Sequence, residues 1–96
     1  GTKNFELPVG SITVKNLDEN LRMSYSKTDN LEVHVKGSKE QLDALNIEQI
    51  ATIDLAEYTK AGTYKVPVQF KLPDGCTLTE DVEVELVLEE KDSGGN

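Results

Sequence analysis

The chain has 96 residues and carries ten lysines and arginines against eighteen aspartates and glutamates, which gives a formal net charge of −8. A domain of this size buries about two-thirds of its surface around one small core, and with three tyrosines, two phenylalanines and no tryptophan that core must be aliphatic. The negative charge disfavours nucleic acid as a partner, and one cysteine with one histidine cannot build a zinc site, so we expect no cofactor.

Alternation of apolar and polar residues predicts that most of the chain is β-strand, with one wet face on each strand. In chain order the predicted strands lie within Phe5–Val9, Ile12–Val14, Leu21–Tyr25, Leu31–Val35, Ile50–Leu55, Tyr64–Leu72 and Val82–Leu88. Between the last two strands, Pro73-Asp74-Gly75 predicts a hairpin turn, because proline fixes φ and glycine accepts a positive φ.

Two short helices are predicted between the strands. A capping-box pattern from Ser38 to Gln41, followed by leucines at helical spacing, predicts a helix over about residues 38–46. Asp54 repeats the capping signal and predicts a second helix at about 55–60. The fold class is therefore α+β and β-rich, with seven or eight short, mostly antiparallel strands.

The two halves of the chain weakly resemble each other. Phe5–Val9 matches Tyr64–Val68, and Leu31–Val35 matches Val82–Leu86 in the same order but at a different spacing. Chance similarity between alternating strands and a true internal pseudo-symmetry both explain this pattern. A proline within each of the first pair of strands predicts sheet edges or bulges, because proline cannot donate to a strand ladder.

Acidic residues concentrate near the end of the chain, where Glu83, Glu85 and Glu89 share the outward face of the last predicted strand. Three interpretations are open: a charged face that keeps the molecule soluble, a docking surface for a basic partner, and a calcium site. Carboxylates alternating along one strand lie about 7 Å apart, which is wide for one ion. We therefore expect no metal and take these glutamates as a possible partner-contact face.

The other reactive side chains have structural explanations. His34 lies on the polar face of its strand and is expected to be solvated, Cys76 is expected to be a small buried residue, and Asp54 is expected to cap a helix. Because the sequence places no nucleophile beside the single histidine, we expect no catalytic residue and no enzyme activity.

The order of these elements resembles the YbbR-like domain. The resemblance rests on Leu31–Gly37, Ile50–Leu55, Ala61–Val68, Leu72–Gly75 and Val82–Leu86, with Phe5–Val9 as the opening strand. It covers residues 5–90, which we expect to be a single domain. Residues 1–4 are then an extension or a cloning remnant, and residues 91–96 a polar tail or linker.

The resemblance implies a module repeated in tandem on an extracytoplasmic chain of Gram-positive bacteria, held by a transmembrane helix outside this sequence. It implies a protein partner, a membrane-bound diadenylate cyclase, whose synthesis of cyclic di-AMP the family regulates through contacts. It implies no catalytic residues, and we expect no membrane insertion by this fragment. The alternatives are a structural spacer or adhesion-type β-domain, and an RNA-associated β-domain, which the charge disfavours.

Overall fold

The computed structural model describes residues 1–91 as nine β-strands, one α-helix and two single-turn 3-10 helices. The strands are β1 (Thr2–Leu7), β2 (Thr13–Lys15), β3 (Leu21–Tyr25), β4 (Leu31–Lys36), β5 (Ala51–Asp54), β6 (Gly62–Pro67), β7 (Gln69–Phe70), β8 (Thr77–Leu78) and β9 (Glu83–Glu90). The helix α1 covers Lys39–Ala44, and the 3-10 helices cover Val9–Ser11 and Ile47–Gln49. The β-rich α+β class is confirmed. The strand count is nine partly because the predicted strand over 64–72 divides at Val68: the chain pairs with β9 before this residue and with β5 after it.

The strands form three sheets of three strands each. Sheet I has the order β1-β4-β8, sheet II the order β2-β5-β7, and sheet III the order β3-β9-β6. All pairings are antiparallel except β2 with β5. Pro67 ends an edge strand of sheet III, as predicted, whereas Pro8 lies beyond β1 at the start of a 3-10 helix.

Sheets I and III are related by an internal pseudo-symmetry. Each half of the chain supplies four strands, β1–β4 and β6–β9, and in each half the first strand pairs with the fourth. The third strand of each half crosses to the other half's sheet, so β8 completes sheet I and β3 completes sheet III. The halves therefore exchange one strand each, and neither sheet is complete without both.

The strand register shows which residues occupy equivalent positions in the two halves of the chain. Leu7 lies opposite Leu31 in sheet I, and Val66 lies opposite Val84 in sheet III. The sequence pattern had matched Leu31 with Val82, two residues earlier. A slip of two residues keeps every side chain on the same face, so the sequence pattern matches even though its register is displaced by two.

One aliphatic core joins the three sheets. Alternate residues of β4 and β9 point into it, and Cys76 is buried in it at 6% exposure, as predicted. The side chains that are most completely buried are Leu7, Ile53, Leu55, Leu86, Leu88, Val33, Val35 and Val66. Because every one of them lies on a strand or directly after one, the sheets and not the helices hold the domain together.

The first predicted helix is confirmed in a shorter form. Ser38 Oγ accepts a hydrogen bond from the backbone N–H of Gln41 at 3.2 Å, which satisfies one of the free donors of the first turn. The helix ends before Leu45, which has an extended backbone at φ −75° and ψ 127°. The predicted span of 38–46 was therefore too long at its end.

The second predicted helix, at 55–60, is wrong. The segment is a turn in which Tyr58 N–H donates to the carbonyl of Leu55 at 3.0 Å. Asp54 does act as a cap, since its Oδ1 accepts the Ala56 N–H at 3.0 Å, but it caps this turn. The seven residues that separate β5 from β6 therefore connect the two strands without a helix.

At both ends of the chain, residues that were predicted to lie outside the domain bond to it. Residues 2–4, which the prediction set apart, are the first half of β1 and pair with β4. The Gly1 amino group donates to the carbonyl of Gly37 at 2.9 Å. In the predicted tail, Lys91 N–H donates to the carbonyl of Asn20 at 2.9 Å, and residues 92–96 lie outside the described part of the chain.

Candidate functional site

The three glutamates predicted as a contact face lie together on the central strand of sheet III. Glu83, Glu85 and Glu89 are exposed and point away from the core, because residues of β9 alternate between the two faces. Val87 occupies the fourth outward position and is half-buried. The structure therefore places the predicted residues in one row on an open sheet face.

Two cations that the sequence pattern did not reveal flank the row. Lys65 on β6 lies directly opposite Glu85, and Arg22 on β3 lies directly opposite Glu89. Residues opposite each other on antiparallel strands have Cβ atoms about 5 Å apart, close enough for their charges to interact. Glu83 lies opposite Pro67 and has no cationic cross-strand neighbour.

The outer face of sheet III is thus a mixed-charge surface. It consists of the three glutamates and Val87 in the centre, with the outward residues of the two edge strands on either side. Those flanking residues are Arg22, Ser24, Thr63, Lys65 and Pro67. Sequence reasoning missed the flanks because β3 and β6 join this sheet from distant parts of the chain.

His34 is less solvated than predicted. It lies on the outer face of sheet I, as its strand position required, but only 26% of its side chain is exposed. Its Nδ1 is hydrogen-bonded to Asn4 Oδ1, and its Nε2 lies 3.6 Å from Glu80 and 3.9 Å from Glu32. Within residues 1–91 no hydroxyl or thiol is hydrogen-bonded to the ring, so this arrangement does not provide an activated nucleophile.

Asp54 is held in its ionised form by its neighbours. The side-chain amide of Asn16 donates to Asp54 Oδ1 at 3.0 Å, and the Ala56 N–H donates to the same oxygen. These two hydrogen bonds, together with the charge of Lys15, lower the pKa of the Asp54 carboxyl below its ordinary value of 3.8. The role of this group is structural, because it joins the end of β5 to the following turn.

Two tyrosines on the inner side of sheet III have contrasting hydroxyl environments. Tyr64 donates to the carbonyl of Lys60 at 2.7 Å and packs edge-on against Tyr58, with ring centroids 4.9 Å apart. The hydroxyl of Tyr25 is buried and has no hydrogen-bond partner among the described residues. Burial raises the pKa of Tyr25. No sequence pattern distinguished Tyr25 from the other aromatic residues.

Residues 1–91 contain neither a metal-binding cluster nor a membrane-spanning helix. No group of three or more histidine, cysteine, aspartate or glutamate side chains in this part of the chain is placed to hold a metal ion. The only α-helix there, α1, has six residues, far short of the length and apolar character that a membrane-spanning helix needs.

Comparison with known proteins gives a consistent result for the family and the fold. The family model described as YbbR-like protein matches residues 7–88. A crystal structure of a YbbR-like domain from Listeria monocytogenes aligns with a TM-score of 0.67 at 20% identity and covers 99% of both chains. A YbbR family protein from Desulfitobacterium hafniense aligns with a TM-score of 0.62 at 20% identity, over 95% of this chain and 98% of that one.

A third structure, determined in solution for a protein from Streptococcus thermophilus, aligns with a TM-score of 0.52 at 16% identity, over 99% of this chain and 92% of that one. At these identities the three structures establish a shared fold. No curated protein matches the sequence significantly.

Proposed function

The chain belongs to the YbbR-like protein family, and from this premise we propose that it is a non-catalytic module of an extracytoplasmic regulator. In this proposal the module stands in tandem with sister domains on a membrane-anchored chain of a Gram-positive bacterium. It acts through protein contacts on a membrane-bound diadenylate cyclase and so sets the rate of cyclic di-AMP synthesis.

The observation that carries the proposal is the outer face of sheet III. Three exposed carboxylates and two cations alternate on a rigid central strand and its neighbours. Complementary charge patterns give a contact its orientation and association rate more than its strength. Such a face suits a reversible contact with a partner that carries the opposite pattern, with Glu83 as its least neutralised position.

The mechanism we propose is a shift in population. A module without reactive groups changes a partner's activity only if it binds one of the partner's conformations better than another. A tenfold difference in affinity between two states of the cyclase corresponds to about 1.4 kcal/mol, which a few well-placed charge pairs supply.

The test is a charge reversal in the full-length, membrane-anchored protein. We expect Glu83→Lys, Glu85→Lys and Glu89→Lys together to reduce co-purification with the cyclase and to change the cellular level of cyclic di-AMP. The matched control is Glu19→Lys, Glu48→Lys and Glu57→Lys, which alters the net charge equally at exposed positions off this face.

A triple Glu→Gln variant of the same face controls for misfolding of the Lys variant, because glutamine introduces no like charges opposite Lys65 and Arg22. If both face variants retain wild-type melting temperatures, cyclase binding and cyclic di-AMP levels, the regulatory proposal is wrong.

A structural spacer is the second candidate, and the cross-strand cations favour it. Lys65 opposite Glu85 and Arg22 opposite Glu89 are what a merely solvated sheet face requires. The two functions differ in one measurement: replacing this module by an unrelated domain of equal length leaves cyclic di-AMP unchanged for a spacer and alters it for a regulator.

A further inference from the structure

A second surface with a different character lies on the outer face of sheet II. It is an open cleft of about 270 Å³ lined by Lys15, Gln49, Ile50, Thr52, Gln69 and Lys71. The cleft lies across all three strands of the sheet, since Lys15 ends β2, Thr52 is on β5 and Gln69 begins β7. Its lining therefore offers two cations and several neutral hydrogen-bonding groups on a molecule whose net charge is −8.

The two lysines are available to a ligand. Among residues 1–91 the ion pairs are made by Lys3, Lys39 and His34, and none involves Lys15 or Lys71. Asp54 interacts with the charge of Lys15 but forms no ion pair with it, and Asp54 Oδ1 accepts hydrogen bonds from Asn16 and Ala56.

An apolar depression continues from this cleft. It has a volume of about 360 Å³, shares Gln49 and Ile50 with the cleft, and is otherwise lined mainly by α1 and the turn before β8. Its apolar lining includes Leu45 and Pro73, and both Leu45 and Ile50 are only half-buried. The two depressions adjoin at Gln49 and Ile50, and we refer to them together as the groove, which has lysines at one end and an apolar lining at the other.

Strand geometry sets the spacing of the cations. Lys15 is paired with Asp54 in the strand register, and the Lys71 N–H donates to the carbonyl of Ile50, which is four residues before Asp54 and directly precedes β5. Four residues span about 13 Å along a strand, and two strand spacings add about 10 Å across the sheet. These figures describe the main-chain positions of the two lysines, and an extended peptide with several carboxylates follows the sheet far enough to contact both side chains.

We propose that this groove binds an extended acidic peptide segment of a partner protein. Carboxylates of the peptide pair with Lys15 and Lys71, its backbone bonds to the side chains of Thr52 and Gln69, and an adjacent apolar side chain packs on Leu45 and Ile50. Charge complementarity selects this occupant, because the groove is a cationic site on an acidic protein. The proposal is independent of the cyclase assignment and concerns a different face of the molecule.

The experiment measures binding of a fluorescein-labelled peptide, Leu-Leu-Gly-Glu-Ser-Glu-Ser-Glu, to the 96-residue chain by fluorescence anisotropy and by amide shifts in NMR spectra. We expect weak, salt-sensitive binding with shifts centred on Thr52, Gln69 and Lys71. The variant Lys15→Glu with Lys71→Glu should bind about tenfold more weakly, since two exposed ion pairs are lost and reversed.

The matched control is Lys27→Glu with Lys36→Glu, which changes the net charge equally at exposed positions outside the groove. Wild-type affinity in this control, together with loss of binding by a peptide with glutamine in place of glutamate, supports the proposal. An equal loss in both double variants, shifts elsewhere on the molecule, or no binding at millimolar peptide overturns it. Inorganic phosphate displacing the peptide and shifting the same amides by itself would show a small-anion site and would also overturn it.

Discussion

Sheets I and III have the same strand order and register but different outer faces. Their inward positions are filled alike by aliphatic side chains, with Val33 and Val35 in sheet I and Leu86 and Leu88 in sheet III all at 0 or 1% exposure. At the centre of its outer face, sheet I has the cross-strand pair His34 and Asn4. Sheet III has the pair Val87 and Thr63 at the equivalent positions. The pseudo-symmetry therefore determines the core, while the surface of each sheet is free to differ.

The cross-strand charges show this difference most clearly. Glu6 lies opposite Glu32 in sheet I, where the equivalent pair in sheet III is Lys65 opposite Glu85. A like-charged pair directly opposite is unfavourable and an opposite-charged pair is favourable. One half thus carries a repulsion that the other half replaces with an attraction.

The largest predicted effect tests whether the two sheets share one core. Leu7 in sheet I and Leu86 in sheet III are both fully buried, so Leu7→Ala and Leu86→Ala should each destabilise the protein by about 3 kcal/mol. Urea denaturation gives both values. A much smaller loss of unfolding free energy for Leu7→Ala than for Leu86→Ala would mean that sheet I is peripheral and that the two sheets do not share one core.

The end of β4 in sheet I should not tolerate an added side chain. A Cβ added at Gly37, where β4 ends, would lie 2.8 Å from Cys76 Sγ, so Gly37→Ala should cost about 1–3 kcal/mol. Adding Cys76→Ala should recover part of this cost. Gly10→Ala is the control, since nothing lies within 4 Å of its Cβ; equal melting temperatures for the two alanine variants would contradict the tight packing.

Neutralising one charge in each cross-strand pair should move stability in opposite directions. Glu6→Gln removes the repulsion with Glu32 while its side-chain oxygen still accepts the Asn30 amide, so it should stabilise by about 0.2–1 kcal/mol. Lys65→Gln should destabilise by about the same amount. Both effects should shrink at high salt. If chemical denaturation shows that both variants change the free energy of unfolding in the same direction, the cross-strand pairs do not interact as proposed.

The smallest effect concerns Asp54, which ends the central strand of sheet II. Because its pKa is lower in the folded state, its contribution is present above the ordinary value of 3.8 and is lost as the pH falls through the folded pKa. Asp54→Asn keeps an oxygen for the Ala56 N–H but does not titrate. The difference in melting temperature between wild type and variant should therefore narrow between about pH 4 and pH 2; a constant difference would refute the assignment.

Local sequence patterns were sufficient to predict the strands, the first helix and the outward direction of Glu83, Glu85 and Glu89. Alternation has a period of two, which the strand geometry imposes on each segment separately, and the Ser38 cap acts within one turn. The helix predicted at 55–60 was wrong because its connection between two strands depends on more than the local capping signal. A capping residue permits a helix, but only the distance between the flanking strands decides whether a helix or a turn connects them.

Residue types within short segments were enough to predict the β-rich class, the aliphatic core, the buried Cys76 and the acidic row on β9. Three features became visible only in the folded chain: β3 and β8 exchange between the halves, Arg22 and Lys65 flank the acidic row, and Lys15 and Lys71 line one groove. Strand pairing is made by backbone groups that are the same in every residue. The choice of partner strand therefore depends on how all the inward side chains pack at once, which no single segment encodes.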